Sequence, residues 1–291
     1  MVDQRTLVYD PAGSYEVDTE EIEYRRDGKE SWLAQIYRPK GTGPFPALLD
    51  VHGGAWNAGS RTGLDWRSRC LAASGIVVAA IDFRLAPQHP YPAQVADVNY
   101  ATRWLKARAG DFNAEPHSVG LLGSSSGGHT VFLSAMRPHD PRYAALPLSN
   151  GRETDATALY IMACWSIVDP FARYFFAKDT GMDRHVAATE AYFLTQDAMQ
   201  EGNPHLILQR GEQVQLPPTL IVQGTADENL PVPVTEQFAE AYRRAGGEMQ
   251  LELFPGMPHR FGLQAGPESD RAIELMKGFV ARQLNRTATA R

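Results

Sequence analysis

The chain has 291 residues, 43% hydrophobic and 21% charged, enough for one large α/β domain or two small ones around a buried core. Its 28 basic and 34 acidic side chains leave a net charge of −6 with no basic block, which argues against nucleic acid or an anionic membrane as partner. No run approaches the ~18 apolar residues of a membrane span, and two distant cysteines, Cys70 and Cys164, fit reduced thiols rather than a disulfide framework.

The start, Met1-Val2-Asp3-Gln4-Arg5-Thr6, is polar and has no apolar signal core, so a cytoplasmic location is expected. Residues 20–26 and 31–38 read as two strands around Asp27-Gly28-Lys29, a hairpin signal. Residues 46–51 form a short apolar strand running into His52-Gly53-Gly54, and 62–74 can form a helix. Residues 75–82 are almost wholly apolar, as in a strand buried on both faces. A helical stripe follows over 94–109 through Val95, Val98, Ala101, Trp104 and Leu105. Strands are expected over 118–122, 158–166, 219–223 and 249–254, and helices over 128–136, 232–245 and 268–284.

This alternation from residue 46 onward predicts a mostly parallel sheet with helices on both faces, extended at one edge by the antiparallel hairpin. Residues 167–216 break the rhythm. They hold no clean strand and carry Phe171, Tyr174, Phe175, Phe176, Tyr192 and Phe193. They read as a helical cap inserted over a site, the alternative being an ordinary helical crossover.

Ser125 lies in Gly123-Ser124-Ser125-Ser126-Gly127, between an apolar strand and a helix. Glycines two places either side of a serine allow the sharp turn that exposes a nucleophile. A serine hydroxyl needs a base, and the base an orienting acid, on loops after later strands. Asp227 follows the strand at 219–223, and His259 follows the strand at 249–254. Each alone has an ordinary reading: Asp227 as a turn residue, His259 as a loop histidine. Their chain order and strand-end positions favour a Ser125–His259–Asp227 triad. Ser124 and Ser126 lack the paired glycines. Asp169 is a rival acid, but Asp169-Pro170 reads as a helix start. Donors for an oxyanion would be the N–H groups of Gly53, Gly54 and Ser126. His52 reads as a structural residue of that loop, and Trp56 either packs the loop or touches substrate. The eight histidines are dispersed without zinc-type spacing, and no phosphate-binding glycine loop occurs, so neither metal nor nucleotide cofactor is indicated.

His52-Gly53-Gly54, the Ser125 elbow, Asp227, His259 and the segment from Asp82 to Ala93 (DFRLAPQHPYPA) together resemble α/β-hydrolase-fold carboxylesterases of the hormone-sensitive-lipase-like bacterial branch. The resemblance covers roughly residues 45–282, and the 82–93 segment, its most specific piece, is implied to brace the active-site loops. Ala55 replaces the third glycine usual in that branch, closer to the His-Gly-Gly-x-Trp form of feruloyl-esterase-like and arylformamidase-like enzymes. Ser124 and Ser126 replace the Asp and Ala that typically flank the nucleophile. The reading is a single α/β-hydrolase domain over 1–291, with a cap near 167–216. It would hydrolyse small to medium, apolar or aryl carboxylic esters through an acyl-enzyme. The alternatives are an amidase, arylformamidase or peptidase with the same triad, or a non-catalytic ligand-binding protein. The resemblance also admits a homodimer.

Overall fold

The computed structural model describes residues 7, 9–148 and 154–289. Its centre is an eight-stranded sheet in the order β1-β2-β4-β3-β5-β6-β7-β8. The strands are β1 (Val17–Asp27), β2 (Glu30–Pro39), β3 (Ala47–Val51), β4 (Val77–Ile81), β5 (Gly120–Ser124), β6 (Ile161–Cys164), β7 (Thr219–Gly224) and β8 (Met249–Phe254). Strands β3 to β8 are parallel, and the β1–β2 hairpin joins β4 in antiparallel fashion. Every residue of β3, β4, β5, β6 and β7 is buried, which is why these segments are mostly apolar rather than alternating, with Asp50, Ser124, Thr219 and Gln223 the polar exceptions.

Nine α-helices lie among the described residues: α1 (Asp65–Ala73), α2 (Ala93–Arg108), α3 (Ser126–Met136), α4 (Pro170–Asp179), α5 (Asp183–Phe193), α6 (Gln196–Glu201), α7 (Pro204–Gln209), α8 (Val232–Arg244) and α9 (Pro267–Thr289). Successive strand residues serve opposite layers, as the two-residue period of a strand requires. Leu49, Val51, Leu121 and Ile221 pack with Val98, Phe132 and Phe238 of α2, α3 and α8. Leu48, Leu122, Met162 and Val222 pack with Leu71 and Ile273 of α1 and α9.

Most boundaries shift by a few residues from the sequence reading, and two strands around the serine differ in a way that bears on the site. The strand expected at 118–122 runs over 120–124, because Gly123 and Ser124 keep pairing with Ala163 and Cys164 until the chain turns at Ser125. The strand expected over 158–166 is only four residues long. Residues 167–216 hold four helices and no strand. Asp169 caps the first of these, accepting a hydrogen bond from the Ala172 N–H at 2.9 Å. Cys70 and Cys164 are both free, and no described helix is long and apolar enough to cross a membrane.

From β3 the chain crosses to β4 on one side and then to β5 on the other. The loops after β3 and β5 therefore diverge over a crevice at the carboxyl ends of the strands, where open α/β sheets build their sites.

Candidate active site

Ser125 has φ 51° and ψ −121°, a conformation that strains any residue with a Cβ. It is held there on both sides. Its N–H donates to Cys164 O at 3.0 Å, and its carbonyl accepts from Gly128 N and Ile167 N, both at 3.1 Å. The flanking glycines are required by close approach. A Cβ on Gly127 would lie 2.2 Å from His52 O, and one on Gly123 2.6 Å from Gly128 Cα. The result is a serine 9% exposed at the mouth of the crevice. Beneath it, Ser124 Oγ accepts from Arg67 at 2.7 Å, and Arg67 pairs with the buried Asp50 at 2.5 Å. The missing carboxylate at position 124 is thus replaced by a hydroxyl on Arg67, whose counter-charge comes from β3.

His259 meets Ser125 from the loop after β8. Its Nε2 lies 3.3 Å from Ser125 Oγ, and its Nδ1 lies 2.8 Å from Asp227 Oδ2. The two oxygens of Asp227 divide the work: Oδ1 accepts from the N–H groups of Asn229 and Leu230, each at 2.9 Å, leaving Oδ2 to the imidazole. The Asp227 side chain is fully buried, so this interaction is shielded from water. The two loops are tied together as well, Ala226 N donating to Met257 O at 3.0 Å and Gly256 N to Thr225 Oγ1 at 2.8 Å. Asp169 is engaged elsewhere: its Oδ2 lies 3.1 Å from Nδ1 of His205, and its Oδ1 accepts from Asn203 Nδ2 at 2.7 Å.

The glycine loop approaches from the other side. A Cβ on Gly53 would sit 3.0 Å from the Ser125 Cβ. Gly54 has φ 129°, and its carbonyl accepts from Asn57 and Ala58 at 3.1 Å, closing a tight turn. Among the described residues neither Gly53 nor Gly54 has an acceptor for its N–H. Ser126 opens α3, so its N–H belongs to the first turn, which has no partner within the helix. His52 donates through Nδ1 to Gly53 O at 2.7 Å and stacks on Phe83 at 4.2 Å. Burial pushes its pKa down. It holds the loop.

Trp56 is 1% exposed. Its indole stacks on Tyr192 at 4.9 Å, and its Nε1–H donates to His129 Nδ1 at 3.2 Å. Of the two roles considered for it, the ring is occupied by packing and has no free face for a ligand. The 82–93 segment clamps this arrangement. Ala86 N donates to Trp56 O at 3.0 Å, Tyr91 N to Tyr192 O at 2.7 Å, and Tyr91 Oη to Glu201 at 2.5 Å. Sequence reasoning missed Asn229, 3.4 Å from His259 Nε2, and the buried Arg173 that holds it. The available signal was an arginine set among the aromatics of Phe171–Phe176.

A family model described as BD-FAE matches residues 34–242. The chain belongs to the BD-FAE family. The BD-FAE match takes in Gly53, Gly54, Ser125 and Asp227, while His259 lies beyond its end. The esterase LipC of Mycobacterium tuberculosis is 32% identical over 268 residues, covering 86% of this chain and 62% of that protein. The probable carboxylic ester hydrolase LipM of the same organism is 25% identical, covering 90% of this chain and 60% of that protein. This BD-FAE chain thus spans about three fifths of the length of these relatives. Among solved structures, a thermophilic esterase from the Planctomycetes species Thermogutta terrifontis, with propionate bound, is similar at a TM-score of 0.71 and 22% identity. The likeness covers 94% of this chain and 95% of that one, and it gives the fold, an α/β-hydrolase.

Proposed function

We propose that this BD-FAE member is a serine carboxylic-ester hydrolase. The observation that carries the reading is His259 bridging Ser125 Oγ at 3.3 Å and Asp227 Oδ2 at 2.8 Å, beside unpaired glycine N–H groups. The esterase names of the relatives agree with it. Ser125 attacks the ester carbonyl while His259 Nε2 takes its proton, and Asp227 holds the imidazole and balances its charge. The carbonyl oxygen, now negative, accepts hydrogen bonds from the N–H groups of Gly53, Gly54 and Ser126. His259 returns the proton to the leaving alcohol. Water, deprotonated by the same imidazole, then releases the acid and regenerates the serine.

Helices α4–α7 act as the cap in this reading. Of their aromatics, Tyr174, Tyr192 and Phe193 are spent in packing, whereas Phe171, Phe175 and Phe176 keep accessible surface for an apolar acyl or alcohol group. Small to medium apolar or aryl esters follow as the substrate class. In the test, p-nitrophenyl butyrate turnover should fall by at least ~10³-fold in Ser125→Ala, with the melting temperature kept. A matched p-nitroanilide should turn over far more slowly than the ester. Undiminished turnover in the variant would sink the proposal, and anilide turnover equal to the ester's would turn it toward an amidase.

A further inference from the structure

Arg173, on α4, is 1% exposed and forms no ion pair among the described residues. Burial pulls its pKa down to about 10, against the pull of the Asp227 charge. A cation taken out of water without a counter-ion costs several kcal/mol, so its retention calls for a reason. Its partners supply one. Nε and Nη2 both donate to Asn229 Oδ1, at 3.2 and 2.9 Å, and Nη1 donates to Thr189 Oγ1 of α5 at 3.2 Å.

A guanidinium only donates, so the Asn229 oxygen must face Arg173 and its amide nitrogen must face away. That nitrogen lies 3.4 Å from His259 Nε2. It too can only donate, so the Nε2 it meets must carry a bare lone pair. The imidazole proton is then on Nδ1, where Asp227 Oδ2 accepts it at 2.8 Å. The Asn229 backbone N–H closes the circuit on Asp227 Oδ1 at 2.9 Å. The direction of every hydrogen bond from Arg173 to Asp227 is fixed by the two residues at its ends. The other charged and titratable neighbours do not compete for Nε2. Glu228 accepts from the His259 backbone N–H at 3.3 Å, and His185 of α5 is itself pushed toward the neutral form by burial and by Arg173.

We propose that Arg173 and Asn229 are positioning residues which hold His259 in the tautomer able to take the Ser125 proton, Arg173 acting through Asn229. This rests on the serine-hydrolase reading. In the resting enzyme the Asn229 amide and the Ser125 hydroxyl share the Nε2 lone pair, both at long range. The hydroxyl takes it over as the substrate arrives.

The test compares Arg173→Met, Asn229→Ala, their double variant and Asn229→Asp on p-nitrophenyl acetate, with melting temperatures recorded. Arg173→Met and Asn229→Ala should each lower kcat by about tenfold with KM within about twofold, and the double variant should be no slower than the slower single. Asn229→Asp should fold at least as stably, since it gives Arg173 a carboxylate. It should nonetheless lose about 10²-fold or more in kcat, because its second oxygen would accept from an Nε2–H while Asp227 keeps the Nδ1 proton, so that the imidazole is held doubly protonated with no lone pair for the Ser125 proton. Multiplicative losses in the double variant, or Asn229→Asp turning over within about twofold of the parent, would overturn the proposal. If Arg173→Met does not fold, the two Asn229 variants decide alone. Ser125→Ala separates the two readings. If it stays active the serine reading fails; if it is dead while Asn229→Asp is unimpaired, only the positioning role fails.

Discussion

His129 joins the glycine loop after β3 to the helices over it, and it does so as a neutral ring. Nδ1 accepts from Trp56 Nε1–H at 3.2 Å, and Nε2–H donates to Gly202 O at 2.7 Å. Burial drives its pKa down to about 4, the Gly202 hydrogen bond opposing only in part. An unfolded chain protonates this histidine from about pH 6.5 downward, whereas the folded protein does not until about pH 4. The unfolded state therefore binds more protons in that window. Stability is complete above it and falls as the pH drops through it, by up to about 3 kcal/mol. The melting temperature should decline between pH 6.5 and 4, and His129→Gln, compared with the parent, should decline less steeply. Parallel profiles would contradict this role. None of it was legible in the sequence, because His129 becomes a partner of Trp56 only through a contact 73 residues long.

Strand β5, the turn at Ser125 and helix α3 show what local pattern can and cannot reveal. The apolar run, the paired glycines and the following helix were all readable, since each is set by neighbours in the chain. The extension of β5 to Ser124 was not, because it is imposed by pairing with β6. The same holds between β6 and β7. The Asp169-Pro170 helix start could be read directly, but four short helices, of which only α4 and α5 carry the aromatics, show no single stripe from which to place them. The glycine loop makes its own prediction. A Cβ at Gly54 would fall 2.1 Å from Ala58 O, at a φ of 129° that an alanine resists. Gly54→Ala should therefore shift the turn that presents the N–H groups. The expected outcome is a kcat at least about tenfold lower for p-nitrophenyl esters, with the secondary structure by circular dichroism unchanged. An active Gly54→Ala enzyme would show that this loop does not serve the oxyanion.

The whole molecule gathers residues from distant parts of the chain. Gly53, Ser125, Asp227 and His259 stand on loops after β3, β5, β7 and β8, and the crossover pattern of the sheet brings those loops to one crevice. That is why the meeting of Ser125, Asp227 and His259 could be expected from the glycine-flanked serine, the chain order and the strand-end positions, while Arg173 and Asn229, supplied from the helical segment and from a bend, could not. It also means the serine should be reactive only in the folded assembly. Intact-mass measurement after exposure to a fluorophosphonate tests this most directly. The account predicts one adduct on the native protein, located at Ser125, none on Ser125→Ala or on the denatured chain, and labelling strongly slowed in His259→Ala. An adduct that persists in Ser125→Ala, or a native protein that takes up none, would contradict it.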